Sequence, residues 1–194
     1  MRDMVKPTIS LLTICFVVAL CLALVNGLTK DTIRQRAEKD AEEQRIQVLN
    51  EAKSFKKIDG WQDKDASGLI REAYAAYDGE VLIGYVFSAS PKGYAGEMKV
   101  TVGVNSEKKI SGVRIGDNKE TPGLGSKASG EDFTGQYSGK DSQIAFKVVK
   151  HAPEDDNDIQ AISGATISSK AVTSAVQASA ELGNKLLQDG GEGK

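Results

Sequence analysis

The sequence predicts an α+β chain: an antiparallel sheet packed with helices, preceded by a single N-terminal transmembrane helix and a helical stalk. Three observations carry this. No charged residue occurs from Thr8 to Leu28, and ISLLTICFVVALCLALV within that run is almost wholly apolar. Further on, segments of alternating hydrophobicity come in pairs joined by turn-forming residues. Near the C-terminus, apolar residues recur at helical spacing. The chain has 194 residues, and the apolar run leaves roughly 165 of them, enough for one modest core and too few for two full-sized domains.

Composition narrows the function classes. Lys plus Arg number 25 against 27 Asp plus Glu, a net charge of -2, which excludes nucleic-acid binding through a concentrated basic face. The two cysteines, Cys15 and Cys21, both lie inside the apolar run. That excludes a disulfide scaffold and reads as small membrane-buried hydrophobes.

The elements follow in chain order. A helix over Thr8–Leu28 would be about 31 Å long at ~1.5 Å per residue, close to the ~30 Å hydrocarbon thickness of a bilayer. Residues 1–28 are therefore read as an uncleaved single-pass anchor. The alternative is a cleaved signal peptide, with Arg2 and Lys6 as its positive region and Val25 and Gly27 as small residues before the cut, but the run exceeds the usual signal core. Positive charges on the two sides nearly balance. The short N-terminus ahead of a signal-like helix places it inside and residues 29–194 outside the cytoplasm. From Thr29 to about Phe55 the chain lacks Gly and Pro and is rich in Ala, Glu, Lys, Gln and Arg, a helix-favouring composition. With Ile33, Ala37, Ala41, Val48, Ala52 and Phe55 as a narrow apolar stripe, residues 29–60 are read as a mostly solvated stalk. Trp61 is expected to pack where the stalk meets the domain.

Residues 61–188 form the domain. LIREAYAAY and EVLIGYVFSAS flank Asp78-Gly79, which suits a type I′ hairpin, and Val81, Ile83, Tyr85 and Phe87 alternate to form one buried face. A second pair runs from Met98, Val100, Val102 and Val104 through NSEKK to a return strand over 110–115. A further strand is expected at 144–149. From about Ser168 to Leu187, Val172, Val176, Ser179, Leu182 and Leu186 share a face, so this segment should be an amphipathic helix on the sheet. Residues 189–194 are expected to be disordered.

Two loops carry candidate chemistry. In Glu120-Thr121-Pro122-Gly123-Leu124-Gly125, Pro122 presets φ for the second turn position and Gly123 supplies the positive φ of the third, as a type II turn requires. Read alone this is an ordinary turn. The second, Asp158-Ile159-Gln160-Ala161-Ile162-Ser163-Gly164-Ala165-Thr166, runs into Ser168, Ser169 and the C-terminal helix. Small and hydroxyl-bearing residues there can cap orphan amides or receive an anion. His151, the only histidine, has no second ligand at metal-like spacing and is read as a surface residue. The acidic run Glu154, Asp155, Asp156, Asp158 lacks the Gly and distal Glu of an EF-hand and is read as a solvated loop. No metal site and no catalytic acid, base or nucleophile is assigned.

GYAGEMKVTVGV, KKISGVRI, NKETPGLGSKA, FTGQYSGK and DIQAISGATISSKAVTSAV together resemble the FMN-binding domain found in two related proteins. One is the G subunit of the Rnf ion-translocating electron-transport complex, and the other is the C subunit of sodium-pumping NADH:quinone reductase. The resemblance runs from about Gly93 to Leu187. Its most specific element is the ordered pair of ETPGLG and SGAT with an upstream Asp. Chain length and the lack of long insertions favour the Rnf protein.

The resemblance implies FMN joined through its phosphate to Thr166, with Ser163, Gly164, Ala165, Ser168 and Lys170 around the phosphate. It implies Glu120, Thr121, Gly123 and Leu124 beside the isoalloxazine. Family members often carry His two residues before the Glu of ETPGLG; here that position is Asn118. The implied role is electron relay at a bacterial inner membrane in a ferredoxin:NAD oxidoreductase, and the implied partners are integral-membrane and iron–sulfur subunits, a flavin transferase for maturation, and the lipid bilayer. A component of the quinone-reductase type, a stand-alone extracytoplasmic flavin carrier and a non-flavin anchored binding module remain as alternatives.

Overall fold

The computed structural model of the chain describes residues 2–189, with side chains from residue 7. It divides into two compact units, Met1–Glu42 and Glu43–Lys194. Helix α1 spans Arg2–Val48. Its apolar stretch exposes Ile9, Leu12, Phe16, Leu20 and Leu24. Among the described residues this is the one helix long and apolar enough to cross a membrane. The charged turns that follow are solvated and carry the Arg34–Glu38 pair.

The second unit is built on a five-stranded antiparallel meander: β1 (Ser54–Lys57), β2 (Ile70–Asp78), β3 (Val81–Ala89), β4 (Val100–Asn105) and β5 (Ile110–Ile115), adjacent in that order. Beyond it come a four-residue helix α2 (Glu131–Thr134), the short strands β6 (Lys147–Val149) and β7 (Asp158–Gln160), and helix α3 (Thr166–Asp189). Helix α3 lays Val172, Val176 and Leu182 on one sheet face, against a core of Phe87, Val100, Val102, Val104, Ile110 and Val113. All five residues expected on its apolar face are buried. Phe133, Tyr137 and Phe146 extend this core through two edge-to-face ring contacts at 5.8 and 5.9 Å. Trp61 belongs to the same core.

The opposite sheet face is covered by the end of α1 and the turn after it. Val48, Leu49 and Ala52 pack there on Ala76 and Val86. Gly103 and Gly112 pair across β4 and β5 and form a notch for the backbone of Val48. A Cβ at Gly103 would lie 2.7 Å from the Val48 carbonyl oxygen, and one at Gly112 3.0 Å from the Val48 Cα. The Ser111 hydroxyl donates to that carbonyl at 2.6 Å, which satisfies one of the orphan acceptors at the helix C-terminus.

Several sequence expectations are corrected. The helix does not continue through Phe55: it ends at Val48, and Ser54–Lys57 pair with Tyr74–Tyr77. Local composition favours helix, but the open edge of β2 and the burial of Phe55 against the second cluster win. The hairpin turn lies one residue further on, with Gly79 and Glu80 central and Asp78 paired to Val81. Only Gly79 has positive φ (65°), so the turn is not type I′. The single buried face expected of β3 is broken by a bulge, because Ala76 pairs with Gly84 and Tyr77 with Leu82, leaving Ile83 unpaired. A bulge swaps the faces: Tyr85 and Phe87 join the main core while Ile83 joins the second cluster and Val81 is exposed. Of 144–149 only Lys147–Val149 is strand. It pairs in parallel with β7, and Ile144 is exposed because side chains tie that segment down. Asn157 donates to the Ile144 carbonyl at 2.8 Å, and Gln177 accepts from the Phe146 amide at 2.9 Å. The tail expected over 189–194 lies outside the described residues, except Asp189, which ends α3.

Candidate functional site

Both candidate loops adopt the same turn. Leu124 donates its amide to the Thr121 carbonyl at 3.1 Å with Gly123 at φ 77°. Ala165 donates to the Ile162 carbonyl at 2.9 Å with Gly164, too, at φ 77°. In each a glycine holds the positive φ that a type II turn demands of its third residue. The first turn is braced by Ser126, whose hydroxyl accepts from the Gly123 amide at 2.9 Å. In the second, the Ser169 hydroxyl accepts from the Ile162 amide and donates to the Ala165 carbonyl, both at 3.0 Å, so the turn and the start of α3 form one hydrogen-bonded piece.

The fold brings the two turns together. A Cβ at Gly164 would lie 3.2 Å from the Leu124 side chain, and Ser168 donates its hydroxyl to Glu120 Oε2 at 2.6 Å. The other carboxylate oxygen accepts the Ala95 amide at 3.0 Å. Glu120 is 5% exposed and joins three segments: the Pro91–Glu97 loop, the ETPGLG turn and the first turn of α3. Its own amide is held by Asn118 Oδ1 at 3.2 Å, and Asn118 donates onward to Gly116 and Ser129. Asn118 therefore shapes the loop backbone.

Around this brace the remaining candidates differ in burial. Thr121, Gly123, Leu124, Ser163, Gly164 and Lys170 are exposed, Thr166 is half-buried, and Ala165 and Ser168 are buried. The Thr166 hydroxyl makes no hydrogen bond among the described residues, and the first-turn amides of Thr166, Ile167 and Ser168 find no acceptor there. A free hydroxyl beside three unsatisfied donors at the positive end of a helix of 24 residues suits a phosphate ester. Exposed apolar side chains, Tyr94, Leu124 and Ile167, come from the three segments that Glu120 joins, and can cover a flat ring.

No site residue was expected in the Pro91–Glu97 loop, although its GYAGE stretch is part of the resemblance. Its place at the site comes from the tertiary fold: a Cβ at Gly93 would lie 2.4 Å from Glu120 Oε1. The acidic run is corrected in part. Glu154, Asp155 and Asp156 are exposed, but Asp158 is 2% exposed. Its Oδ2 accepts the amides of Glu154 at 3.2 Å and Asp155 at 3.3 Å. Those amides, Glu154's first, hold its carboxyl below the usual aspartate range. Asp158 thus closes the 154–158 loop at the start of β7, which leads into the second turn. His151 is exposed and contacts Ala152 and Glu154, and among the described residues no His, Cys, Asp and Glu cluster could hold a metal.

Residues 93–181 match the family model of the FMN-binding domain. The chain is 37% identical over 191 residues to the G subunit of the Na(+)-translocating ferredoxin:NAD(+) oxidoreductase complex of Acetobacterium woodii, spanning 93% of this chain and 92% of that one. It is 35% identical over 167 residues to the G subunit of the proton-translocating ferredoxin:NAD(+) oxidoreductase complex of Clostridium ljungdahlii, spanning 86% and 84%. Among solved structures it superposes on NqrC of Shewanella oneidensis with a TM-score of 0.53 at 20% identity, covering 73% of this chain and 74% of that one. The C subunit of the Na(+)-translocating NADH-quinone reductase of Parabacteroides distasonis superposes with a TM-score of 0.50 at 27% identity, covering 60% and 62%.

Proposed function

The chain belongs to the G-subunit family of ion-translocating oxidoreductase complexes, and from that premise we propose that it is a membrane-anchored electron carrier holding FMN through a phosphoester to Thr166. It serves a ferredoxin:NAD oxidoreductase complex, its partners are the other membrane and iron–sulfur subunits, and a flavin transferase matures it. The observation that carries this reading is the meeting of the two type II turns at the start of α3, where the free Thr166 hydroxyl stands beside unsatisfied amides.

Bound FMN supplies uptake and release of one or two electrons. The protein's part is to hold and tune. Thr166 provides the ester oxygen, and the amides of Ile167 and Ser168 with the α3 dipole favour the remaining phosphate charge. Lys170, exposed in the same turn, adds a cation. Gly164 and Gly123 keep the approach to the hydroxyl open, and Leu124, Tyr94 and Ile167 offer apolar cover for the ring. No acid, base or nucleophile of the chain is required, because electron relay needs distance and electrostatics only.

We place residues 29–194 on the extracytoplasmic side, where a covalent link matters most: a dissociated flavin there has no cytoplasmic pool to replace it. After co-expression with a flavin transferase, denatured protein in a gel should fluoresce under ultraviolet light and its intact mass should rise by one FMN less water. Thr166→Ala should abolish both. A fluorescent Thr166→Ala band overturns the attachment. Protease added to spheroplasts should cleave the second unit, whereas cleavage only in inverted vesicles reverses the sidedness.

A further inference from the structure

The resemblance puts Glu120 among the residues beside the ring, yet both of its oxygens are already taken inside the chain. Oε1 accepts the Ala95 amide at 3.0 Å and Oε2 the Ser168 hydroxyl at 2.6 Å, so each is tied to a segment of the chain. The carboxyl group thus takes one donor of the chain at each oxygen. No lysine, arginine or histidine among the described residues pairs with it, although it is 5% exposed. Burying a carboxylate without a counter-ion is costly, and two glycines are spent to admit it. A Cβ at Gly93 would lie 2.4 Å from Oε1, and one at Gly125 2.3 Å from Oε2. Its compensation is local: two hydrogen bonds, plus the N-terminus of α3, whose third residue is Ser168.

We infer that Glu120 is a positioning and tuning residue, whose buried charge at the start of α3 lowers the midpoint potential of a flavin carried on Thr166. This rests on the attachment proposed above. Two-electron reduction with uptake of one proton, FMN + 2 e− + H+ → FMNH−, leaves the ring one charge more negative. A fixed carboxylate in the same turn cluster, shielded from counter-ions, disfavours that added charge. The Ser168 hydroxyl partly neutralises the carboxylate, so removing it strengthens the effect.

The test is potentiometric titration of the full-length, flavin-loaded protein in detergent, with dithionite as electron donor and soluble mediators. Flavin absorbance follows the reduction, and intact mass reports loading. Glu120→Gln keeps the shape and one acceptor oxygen but removes the charge, and its midpoint should move to more positive potential. Ser168→Ala keeps the charge and removes a donor, and its midpoint should move to more negative potential. Both shifts should persist at high ionic strength, because the carboxylate is buried. A flavin-loaded variant with the wild-type midpoint, or two shifts of the same sign, overturns the inference. If Glu120→Gln does not fold, the direction of Ser168→Ala decides alone. A wild-type chain without the FMN mass increment overturns the attachment itself, a separate result from a loaded chain whose potential does not respond.

Discussion

At the scale of single residues, burial separates side chains that look alike in sequence. Asp158 sits in a run of acids, yet it alone is buried with its charge held by backbone amides. Its folded pKa lies below the unfolded value, which is near 3.9. The unfolded chain therefore binds the extra proton, and this residue's contribution to stability is present above about pH 4 and disappears as pH falls through the folded value. Asp158→Asn should weaken the protein at neutral pH and flatten the acid limb of its stability curve, measured by urea unfolding between about pH 3 and 7. An unchanged acid limb would show that the loop closure is not electrostatic. The type II turn at Pro122-Gly123 was legible residue by residue, since that pair names its own φ angles, whereas the one at Ser163-Gly164 was hidden in a stretch that read only as a helix cap. Glu120 was not. Its partners, Ala95 and Ser168, lie 25 and 48 residues away, and only the tertiary fold brings such donors together.

At the scale of elements, periodicity predicted what is packed on one face and missed what is fixed by neighbours. Helix α3 and the β4–β5 pair were readable, because Val172, Val176 and Leu182, and Val100, Val102 and Val104, each repeat at the period of their element. Strand β1, the Ile83 bulge and the parallel β6–β7 pair were not, because each is imposed by an edge or a partner strand distant in sequence. The notch at Gly103 and Gly112 is a further non-local feature. Gly112→Val should force the Val48 backbone away from the sheet and cost about 1–3 kcal/mol, the usual range for overpacking, visible as a lower Tm. Leu182→Ala, on the opposite face and 1% exposed, should cost about 2–5 kcal/mol. The two sites lie on opposite faces of the sheet, so the double variant should be close to additive.

At the scale of the whole molecule, the boundary between the two units falls at Glu42–Glu43, inside α1 and ahead of the residues that cover the second sheet face. A chain beginning at Glu43 should stay folded without detergent. One beginning at Lys53 loses Val48, Leu49 and Ala52 and bares Ala76 and Val86. At about 1.5–3 kcal/mol for each large buried apolar side chain, that loss should lower Tm by many degrees or cause aggregation. Comparing the two by thermal melts and gel filtration checks this, and equal stability would show that the end of α1 is dispensable to the domain.

The enclosure of Glu120 by Gly93 and Gly125 also has a genetic reading. A carboxylate oxygen of Glu120 lies nearest in the space at each glycine, shared with Met98 at Gly93 and with Ser168 at Gly125, so substitutions at these positions should be coupled. Gly125→Ala should be harmful in the native background and milder once Glu120→Ala has emptied the space, a coupling that a double-mutant cycle reads directly. A screen for suppressors of Gly125→Ala should therefore return shorter side chains at Glu120, whereas Gly93→Ala should need a change at Met98 as well, because the Met98 sulfur would lie 2.7 Å from the new Cβ.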